Sequence, residues 1–216
     1  MLESNSFDLF NKNGSIKPIP NEIDHFSLLG LPRKMNLDSS ILEKNFFNLS
    51  KQLHPDFYQN ADTTEKIRSL DATARINEAK RVLNDRILRM IYLVELESGK
   101  LKENDSNPPA DLLEDILDAQ EAAAELECCF EEDKAEELKC RVLAAKECFE
   151  TFRISQNKTL EEYAKAWDDG VEGKSLSTND LVHKIRLVLS LRNYIENILS
   201  SLDRAMGSYS ECYNWH

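Results

Sequence analysis

The chain has 216 residues, of which 41% are hydrophobic and 31% are charged, and its formal net charge at neutral pH is −12. A chain of this length and composition can bury a core, and it suits one large or two small globular domains. Its acidity argues against a nucleic-acid binder, whose affinity rests on Lys and Arg side chains that neutralise phosphates. With only 6 Gly and 6 Pro and abundant Ala, Leu, Glu and Lys, the composition predicts an all-α fold.

The charge is unevenly distributed. Residues 1–97 carry 13 basic and 14 acidic side chains, whereas residues 98–216 carry 14 and 25. No stretch approaches the roughly 20 apolar residues of a membrane span. The start of the chain also has neither the apolar core of a signal peptide nor an Arg-rich targeting pattern. We therefore expect a cytoplasmic protein, or one of the mitochondrial matrix if its source is a eukaryote, with no membrane partner.

The five cysteines, Cys128, Cys129, Cys140, Cys148 and Cys212, are odd in number and include no CxxC pair. This pattern indicates reduced, partly buried thiols. Adjacent cysteines on a helix point in different directions, and the pair Cys212 and His216 lies at the end of the chain. We predict no metal site and no cofactor.

Gly and Pro residues punctuate the first twenty positions, so residues 1–20 are predicted to be a flexible tail. The stretch "DHFSLLGLP" then predicts a short helix that ends at Gly30 and Pro32. Such a short helix must dock on longer ones.

A second helix begins after Asp38, which is a favourable N-cap residue. It ends at His54, because Pro55 disfavours helical dihedral angles in the residue before it. Its apolar residues step by four, three and four and so share one face: Leu42, Phe46, Leu49 and Leu53. A third helix is predicted over residues 62–83, with the apolar positions Ile67, Leu70, Ala74, Ile76, Ala79 and Leu83. Asp85 is the predicted N-cap of a fourth.

The stretch "ESGKLKENDSNPPA" combines Gly, Pro and charge without an apolar period, which predicts a linker at residues 98–109. Beyond it the pattern is one of long amphipathic helices, with a break at "DGVEGKSLS" between a helical piece containing Tyr163 and Trp167 and the last helix. Helices with such apolar faces pack against each other, so residues 110–207 are predicted to form a helical bundle and residues 208–216 a tail.

The tripeptide His54, Pro55 and Asp56 follows the second helix directly. A helix end needs only one breaker, so Pro55 would suffice, and His54 and Asp56 would then be ordinary loop residues. The alternative is that all three form a contact surface for another protein. The tripeptide alone does not decide between these interpretations.

Its context resembles a J-domain, in which a His-Pro-Asp loop joins two antiparallel helices. Three further stretches follow the order of the HscB family: "FSLLGLPRKMNLD", "LHPDFY" and "INEAKRVLNDRILRMIYLVEL". They are similar to the family patterns "FxLxGLPxxxxLD" and "INxAxxxLxxPxxRxxYLLxLxG" on either side of the loop. Arg86 stands where the family usually has Pro. The resemblance implies a J-domain at residues 21–97, made of a helical hairpin and short helices, before the C-terminal bundle.

The resemblance also implies how the loop acts. Asp56 would offer its carboxylate to an Arg of a DnaK/HscA-type ATPase chaperone, Pro55 would fix the loop, and His54 would brace it. Lys44 and Lys51 lie seven residues apart on one helix face and would meet an acidic chaperone surface. The alternative for these two lysines is an ordinary solvated face.

In the HscB family the bundle binds an iron–sulfur cluster scaffold protein of the IscU type. The stretch "LLEDILDAQE" resembles the family stretch "FLMExMExxE", and "KIRL" resembles "KLRF". The implied scaffold-binding residues are Leu113, Leu117, Asp118, Glu121 and Leu187. The alternative for the three leucines is core packing, although Leu187 lies off the apolar stripe of its helix.

The resemblance therefore implies a co-chaperone that binds the scaffold, delivers it to the ATPase chaperone and stimulates ATP hydrolysis there. We predict no catalytic residue in this chain, because Pro55 separates His54 from Asp56 and no nucleophile or phosphate-binding loop accompanies them. Two alternatives stay open: a J-domain co-chaperone for a different client, and a helical interaction protein outside the chaperone system.

Overall fold

A computed structural model describes residues 7–100, 110–129, 131–171 and 178–213. These residues form seven α-helices and one short 3-10 helix, which confirms the all-α prediction. The α-helices are α1 (His25–Leu28), α2 (Ser39–Leu53), α3 (Thr63–Asn84), α4 (Arg86–Ser98), α5 (Ala110–Glu127), α6 (Glu132–Val171) and α7 (Thr178–Tyr213). The 3-10 helix, Pro55–Tyr58, lies between α2 and α3.

Contacts divide the described chain into two compact units. The first comprises residues 7–99 together with residues 164–171, and the second comprises the remainder of α6, with α5 and α7. In the first unit four aspartates cap the helices: Asp24, Asp38, Asp62 and Asp85. Each side chain accepts a hydrogen bond from a backbone amide of the first turn, so it satisfies a donor that has no partner within the helix.

Residues 7–20 are packed within the first unit, in contrast to the flexible tail that was predicted. Leu9, Ile16 and Ile19 are buried, and a single antiparallel bridge pairs Phe10 with Ile16. The guanidinium group of Arg75 on α3 donates to the backbone carbonyls of Ile19 and Pro20. The apolar side chains and the α3 contacts together hold this segment in place.

Helix α3 buries a different face from the one predicted in its first half. Ile76, Ala79 and Leu83 are buried as expected, but Ile67 and Leu70 are exposed. Ser69 and Ala72 occupy the buried side of these turns instead. Ser69 can be fully buried because its hydroxyl donates a hydrogen bond to the Leu53 carbonyl at 2.7 Å. This bond satisfies both the hydroxyl group and the carbonyl group, which lies at the end of α2.

The last turns of α6 pack in the first unit, although the predicted bundle extended over residues 110–207. The Asp168 carboxylate accepts hydrogen bonds from the backbone amides of Met35 and Asn36, at 2.8 and 2.9 Å. The Trp167 side chain is buried, and its indole N–H donates to the Arg33 carbonyl at 3.4 Å. These contacts order the loop between α1 and α2.

In the second unit, α5, α6 and α7 share one apolar core, which includes Ile116, Leu138, Val142, Phe149, Ile195 and Leu202. Ion pairs join Lys146 to Asp203 and Arg153 to Glu196, so successive residues along α6 meet earlier residues of α7 and these two helices are antiparallel. Helix α6 is continuous over 40 residues, where two helical pieces were predicted. Most of the predicted break at "DGVEGKSLS" and most of the predicted linker lie outside the described residues. The tail predicted for residues 208–216 is wrong over residues 208–213, because α7 continues to Tyr213.

Three of the cysteines differ from the predicted partial burial. Cys128, Cys140 and Cys148 are exposed, and Cys129 is half-buried. These four thiols are free, and the side chain of Cys212 lies outside the described part. Within the described ranges, no group of His, Cys, Asp and Glu side chains is arranged to hold a metal ion. The helices there also include none that is long and apolar enough to cross a membrane.

The stability of the first unit should fall as the pH drops below about 6.5, the ordinary pKa of histidine. The His25 ring stacks on Tyr92 with 4.4 Å between ring centroids, and burial lowers the pKa of His25. The unfolded chain then binds a proton at a pH where the folded chain does not, so acid favours unfolding until the pH falls below the lowered pKa. Urea unfolding at a series of pH values measures this decline, and His25→Phe, which keeps the stack, should reduce it. An equal decline in that variant would contradict the assignment.

Candidate functional site

The loop between α2 and α3 contains His54, Pro55 and Asp56, called here the His-Pro-Asp loop. His54 ends α2 with an extended ψ of 128°, and Pro55 opens the 3-10 helix at a position where a missing backbone N–H costs no hydrogen bond. The backbone amide of Phe57 donates to the His54 carbonyl at 3.0 Å. Local chain chemistry therefore sets the turn.

The His54 imidazole supports the backbone of this loop. Its Nδ1 atom accepts a hydrogen bond from the Asp56 amide at 3.2 Å and lies 3.5 Å from the Asp56 carboxylate. Because Nδ1 accepts the amide proton, the neutral ring carries its own proton on Nε2. The part that His54 plays in chaperone binding stays a prediction.

Further hydrogen bonds fix the loop to both neighbouring helices. The hydroxyl groups of Ser69 and Thr73 on α3 donate to the Leu53 carbonyl at 2.7 and 3.1 Å. The Tyr58 hydroxyl donates to the Gln52 carbonyl at 3.1 Å. The last carbonyls of α2, which lack partners within the helix, are thus satisfied from outside it. The loop is held at both ends before any partner binds.

The Asp56 side chain projects from this fixed backbone and is 71% exposed. Gln59 donates to one of its oxygens at 3.3 Å, which orients the carboxylate without covering it. A carboxylate accepts two parallel hydrogen bonds from an arginine guanidinium group. The site can therefore bind a cationic group of a partner.

Lys44 and Lys51 are exposed on α2. The helical period places them on the side opposite the buried residues Leu42 and Leu53. Phe47, also exposed, lies between them on the same side. The two predicted lysines therefore form one outward face that leads to the loop, and their contact with a partner stays a prediction.

Arg89 lies within a motif shared with the HscB family, but no role was predicted for it from the sequence. Its side chain is buried and donates hydrogen bonds to the carbonyls of Met35 and Leu83. These bonds join α4 to the end of α3 and to the loop before α2. The available signal was a lone Arg within the apolar stretch "ILRMIYLV", because a charge there must be paired with buried acceptors.

All five predicted scaffold-binding residues are exposed in the second unit. Leu113, Leu117, Asp118 and Glu121 lie on α5, and Leu187 lies on α7. Large apolar side chains that remain outside the core are available to a partner. Core packing, the alternative for the three leucines, does not account for them. Their contact with a scaffold stays a prediction.

These residues do not form one compact patch. Leu113 and Leu117 are neighbours one turn apart on α5, whereas Asp118 lines a groove of about 240 Å³ between α5 and α6, beside Arg141. Ion pairs that join α5 to α6 and α6 to α7 show which residues of the three helices lie at the same height in the bundle. Leu113 lies level with a late part of α7, whereas Leu187 is closer to the start of that helix. At 1.5 Å per helical residue, the two leucines are separated by about 20 Å along the bundle axis.

Comparison with known proteins agrees with this fold. The family model described as "DnaJ domain" matches residues 24–92. A protein of Arabidopsis thaliana named "Iron-sulfur cluster co-chaperone protein HscB homolog" is 30% identical over 123 residues, 57% of this chain but only 49% of the plant protein. The "Co-chaperone protein HscB homolog" of Azoarcus sp. strain BH72 is 29% identical over 182 residues, 83% of this chain and 96% of the relative.

Among solved structures, human co-chaperone protein HscB has the same fold, with a TM-score of 0.63 at 20% sequence identity over 92% of this chain and 90% of the human one. The helical hairpin, its exposed His-Pro-Asp loop and the family-model match define a J-domain protein. With the ordered motifs and the nearly full-length relatives added, the chain is similar in sequence to co-chaperones of the HscB family and shares the fold of the human one.

Proposed function

We propose that this chain binds an iron–sulfur cluster scaffold protein of the IscU type, delivers it to a DnaK/HscA-type ATPase chaperone and stimulates ATP hydrolysis by that chaperone. The observation that carries the proposal is the Asp56 carboxylate, which is exposed on a loop whose backbone is fixed by His54, Ser69 and Thr73. The name of the plant relative, which refers to iron–sulfur clusters, supports the choice of client.

The fixed loop favours binding because little conformational entropy is lost when a partner engages it. Asp56 would accept a bidentate hydrogen bond from an arginine of the chaperone, and such charge-assisted bonds are roughly twice as strong as neutral ones. Lys44 and Lys51 would lie against acidic groups and accelerate encounter. The chaperone performs the hydrolysis, so this chain acts by contact and not as an enzyme.

The second unit would hold the scaffold through Leu113 and Leu117 on α5 and Leu187 on α7, with Asp118 and Glu121 as acidic contacts. A standard interface covers about 800 Å² on each partner, equivalent to a disc of about 16 Å radius. Two contact areas about 20 Å apart therefore fit beneath one scaffold molecule. The cluster would be the cargo of the scaffold, and no residue of this chain is proposed to ligate it.

Calorimetric titration of the purified chain with an IscU-type scaffold tests this proposal. We expect saturable binding, weakened about tenfold or more both in Leu113→Ala/Leu117→Ala and in Leu187→Ala, because truncation of a central apolar contact costs more than about 1 kcal/mol. Leu143→Ala is the matched control, since Leu143 is an exposed leucine on α6 of the same unit. It should bind as the unaltered chain does.

Absence of binding by the unaltered chain would remove the scaffold from the proposal and leave a J-domain co-chaperone for a different client. Equal affinities in all variants would remove these leucines from the contact surface. If the chain also fails to stimulate ATP hydrolysis by the chaperone, a helical interaction protein outside the chaperone system would be favoured.

A further inference from the structure

Three large apolar side chains near the His-Pro-Asp loop are exposed to solvent: Phe47 is 66% exposed, Phe57 70% and Leu70 58%. The core of the first unit is complete without them, because Leu42, Leu53 and Ile76 are fully buried on the inner sides of the same helices. Folding therefore does not explain why these positions are large and apolar. Clustered exposure of this kind marks an interaction surface.

Two of the three side chains lie at the loop itself. Phe57 follows Asp56 directly, and its ring meets the His54 ring edge-on, with 6.3 Å between centroids. Leu70 lies in the α3 turn whose Ser69 and Thr73 hydroxyls both donate to the Leu53 carbonyl. This turn therefore adjoins the end of α2, and the exposed Leu70 side chain lies close to the loop.

Phe47 lies further back, on the outward face of α2. It is seven residues before His54, which corresponds to about 10 Å along the helix. Lys44 and Lys51 lie one turn away on either side of it, on the same face. A ring placed between two cations on an exposed face matches a partner surface that has an apolar centre and an acidic surround.

We propose that Phe47, Phe57 and Leu70 are apolar anchors that the ATPase chaperone covers when it engages Asp56. This inference rests on the proposed function and specifies the chemistry of the chaperone contact. A partner centred on Asp56 with a standard interface covers surface within about 16 Å, which exceeds the roughly 10 Å along α2 between His54 and Phe47. Lys44 and Lys51 then form the charged rim around them.

An apolar contact surface has a measurable consequence. Ion pairs at a rim are screened by salt, whereas burial of apolar surface is not. The complex is therefore expected to persist at an ionic strength that suppresses a contact made only by Lys44, Lys51 and Asp56. Loss of an anchor removes this salt-tolerant part of the binding and leaves the Asp56 contact intact.

The test measures steady-state ATP hydrolysis by a DnaK-type chaperone as the concentration of the full chain increases, at low salt and at about 0.3 M salt, where the Debye length is below 8 Å. The variants are Phe47→Ser, Phe57→Ser and Leu70→Ser, singly and combined. Ile41→Ser is the control, because Ile41 is an exposed apolar residue on α2 about 20 Å from His54. Thermal unfolding verifies that each variant is folded.

We expect each anchor variant to need about tenfold more protein for half-maximal stimulation, with an unchanged maximal rate and a larger loss at high salt. Ile41→Ser should behave as the unaltered chain. If the unaltered chain stimulates, Asp56→Asn does not, and the anchor variants match the unaltered chain, this inference is wrong while the proposed function stands. If the unaltered chain does not stimulate, both fail.

A second copy of this chain is the competing occupant of the same surface. Sedimentation velocity of the unaltered chain and of the combined variant separates the two cases. A dimer that becomes a monomer in the combined variant, with stimulation unchanged, would overturn the proposal. Equal sedimentation of both proteins together with the loss of stimulation would support it.

Discussion

Replacement of Asp56 by Asn is expected to abolish stimulation of ATP hydrolysis in a DnaK-type chaperone. The two side chains have nearly the same shape, and the Asp56 backbone amide would still donate to His54 Nδ1. Only the charge is lost, so an arginine of the chaperone would be covered without its counter-ion. Leaving a covered charge unpaired costs about 2–5 kcal/mol, which corresponds to a loss of roughly 30-fold to several thousand-fold in affinity.

Single-turnover ATP hydrolysis over a range of co-chaperone concentrations measures this effect. Asp71→Asn is the matched control, because Asp71 is an exposed carboxylate on α3 whose loss changes the net charge equally. Circular dichroism and the urea midpoint should be the same for both variants. Full stimulation by Asp56→Asn would exclude both proposed co-chaperone functions of this J-domain protein, since each of them depends on the carboxylate.

The helix boundaries of the first unit were predictable because their signals are local. Asp38 and Asp85 cap α2 and α4, and Pro55 ends α2 at His54, as the sequence indicated. Each of these effects acts over two to four residues, so a single sequence contains the information. The family motifs around the loop are also short stretches of sequence, so their order could be recognised from the sequence alone.

Long-range contacts account for what the sequence did not predict. Residues 7–20 are ordered by Arg75, more than fifty residues away, and the end of α6 is held by amides at Met35 and Asn36, more than 130 residues away. Periodicity also shows which α3 residues share a face, but not which face is buried. The choice between Ser69 and Leu70 depended on the Leu53 carbonyl of a neighbouring helix.

The candidate sites divide in the same way. The His54 to Asp56 geometry is confined to a few residues, so its residues were identified from the tripeptide and its context. Leu187 lay off the predicted apolar stripe of α7 and is exposed in the structure. Its axial distance from Leu113, in contrast, depends on the register between three helices, which ion pairs such as Lys146 to Asp203 fix. No local pattern contains that register.

Substitution of Arg89 by Met should strongly destabilise the first unit. The two side chains are similar in length, but Met cannot donate hydrogen bonds to the buried carbonyls of Met35 and Leu83. Burial lowers the pKa of the Arg89 guanidinium, because charge is disfavoured where water is excluded, and the two carbonyls offset that cost. An unsatisfied buried acceptor costs about 1–3 kcal/mol, so the expected loss in the free energy of unfolding is roughly 2–5 kcal/mol.

Urea unfolding followed by Trp167 fluorescence, in a Trp215→Phe background, measures this loss, because Trp167 is buried within the first unit. Arg81→Met is the control: Arg81 is also an α-helical arginine, but its pair with Glu78 is exposed, and such pairs contribute about 0–1 kcal/mol. Arg89→Lys should fall between the two, because it keeps a donor and a charge without the planar fork. Equal midpoints for Arg89→Met and Arg81→Met would show that the two carbonyls find water instead, and that Arg89 does not hold α4 to the loop before α2.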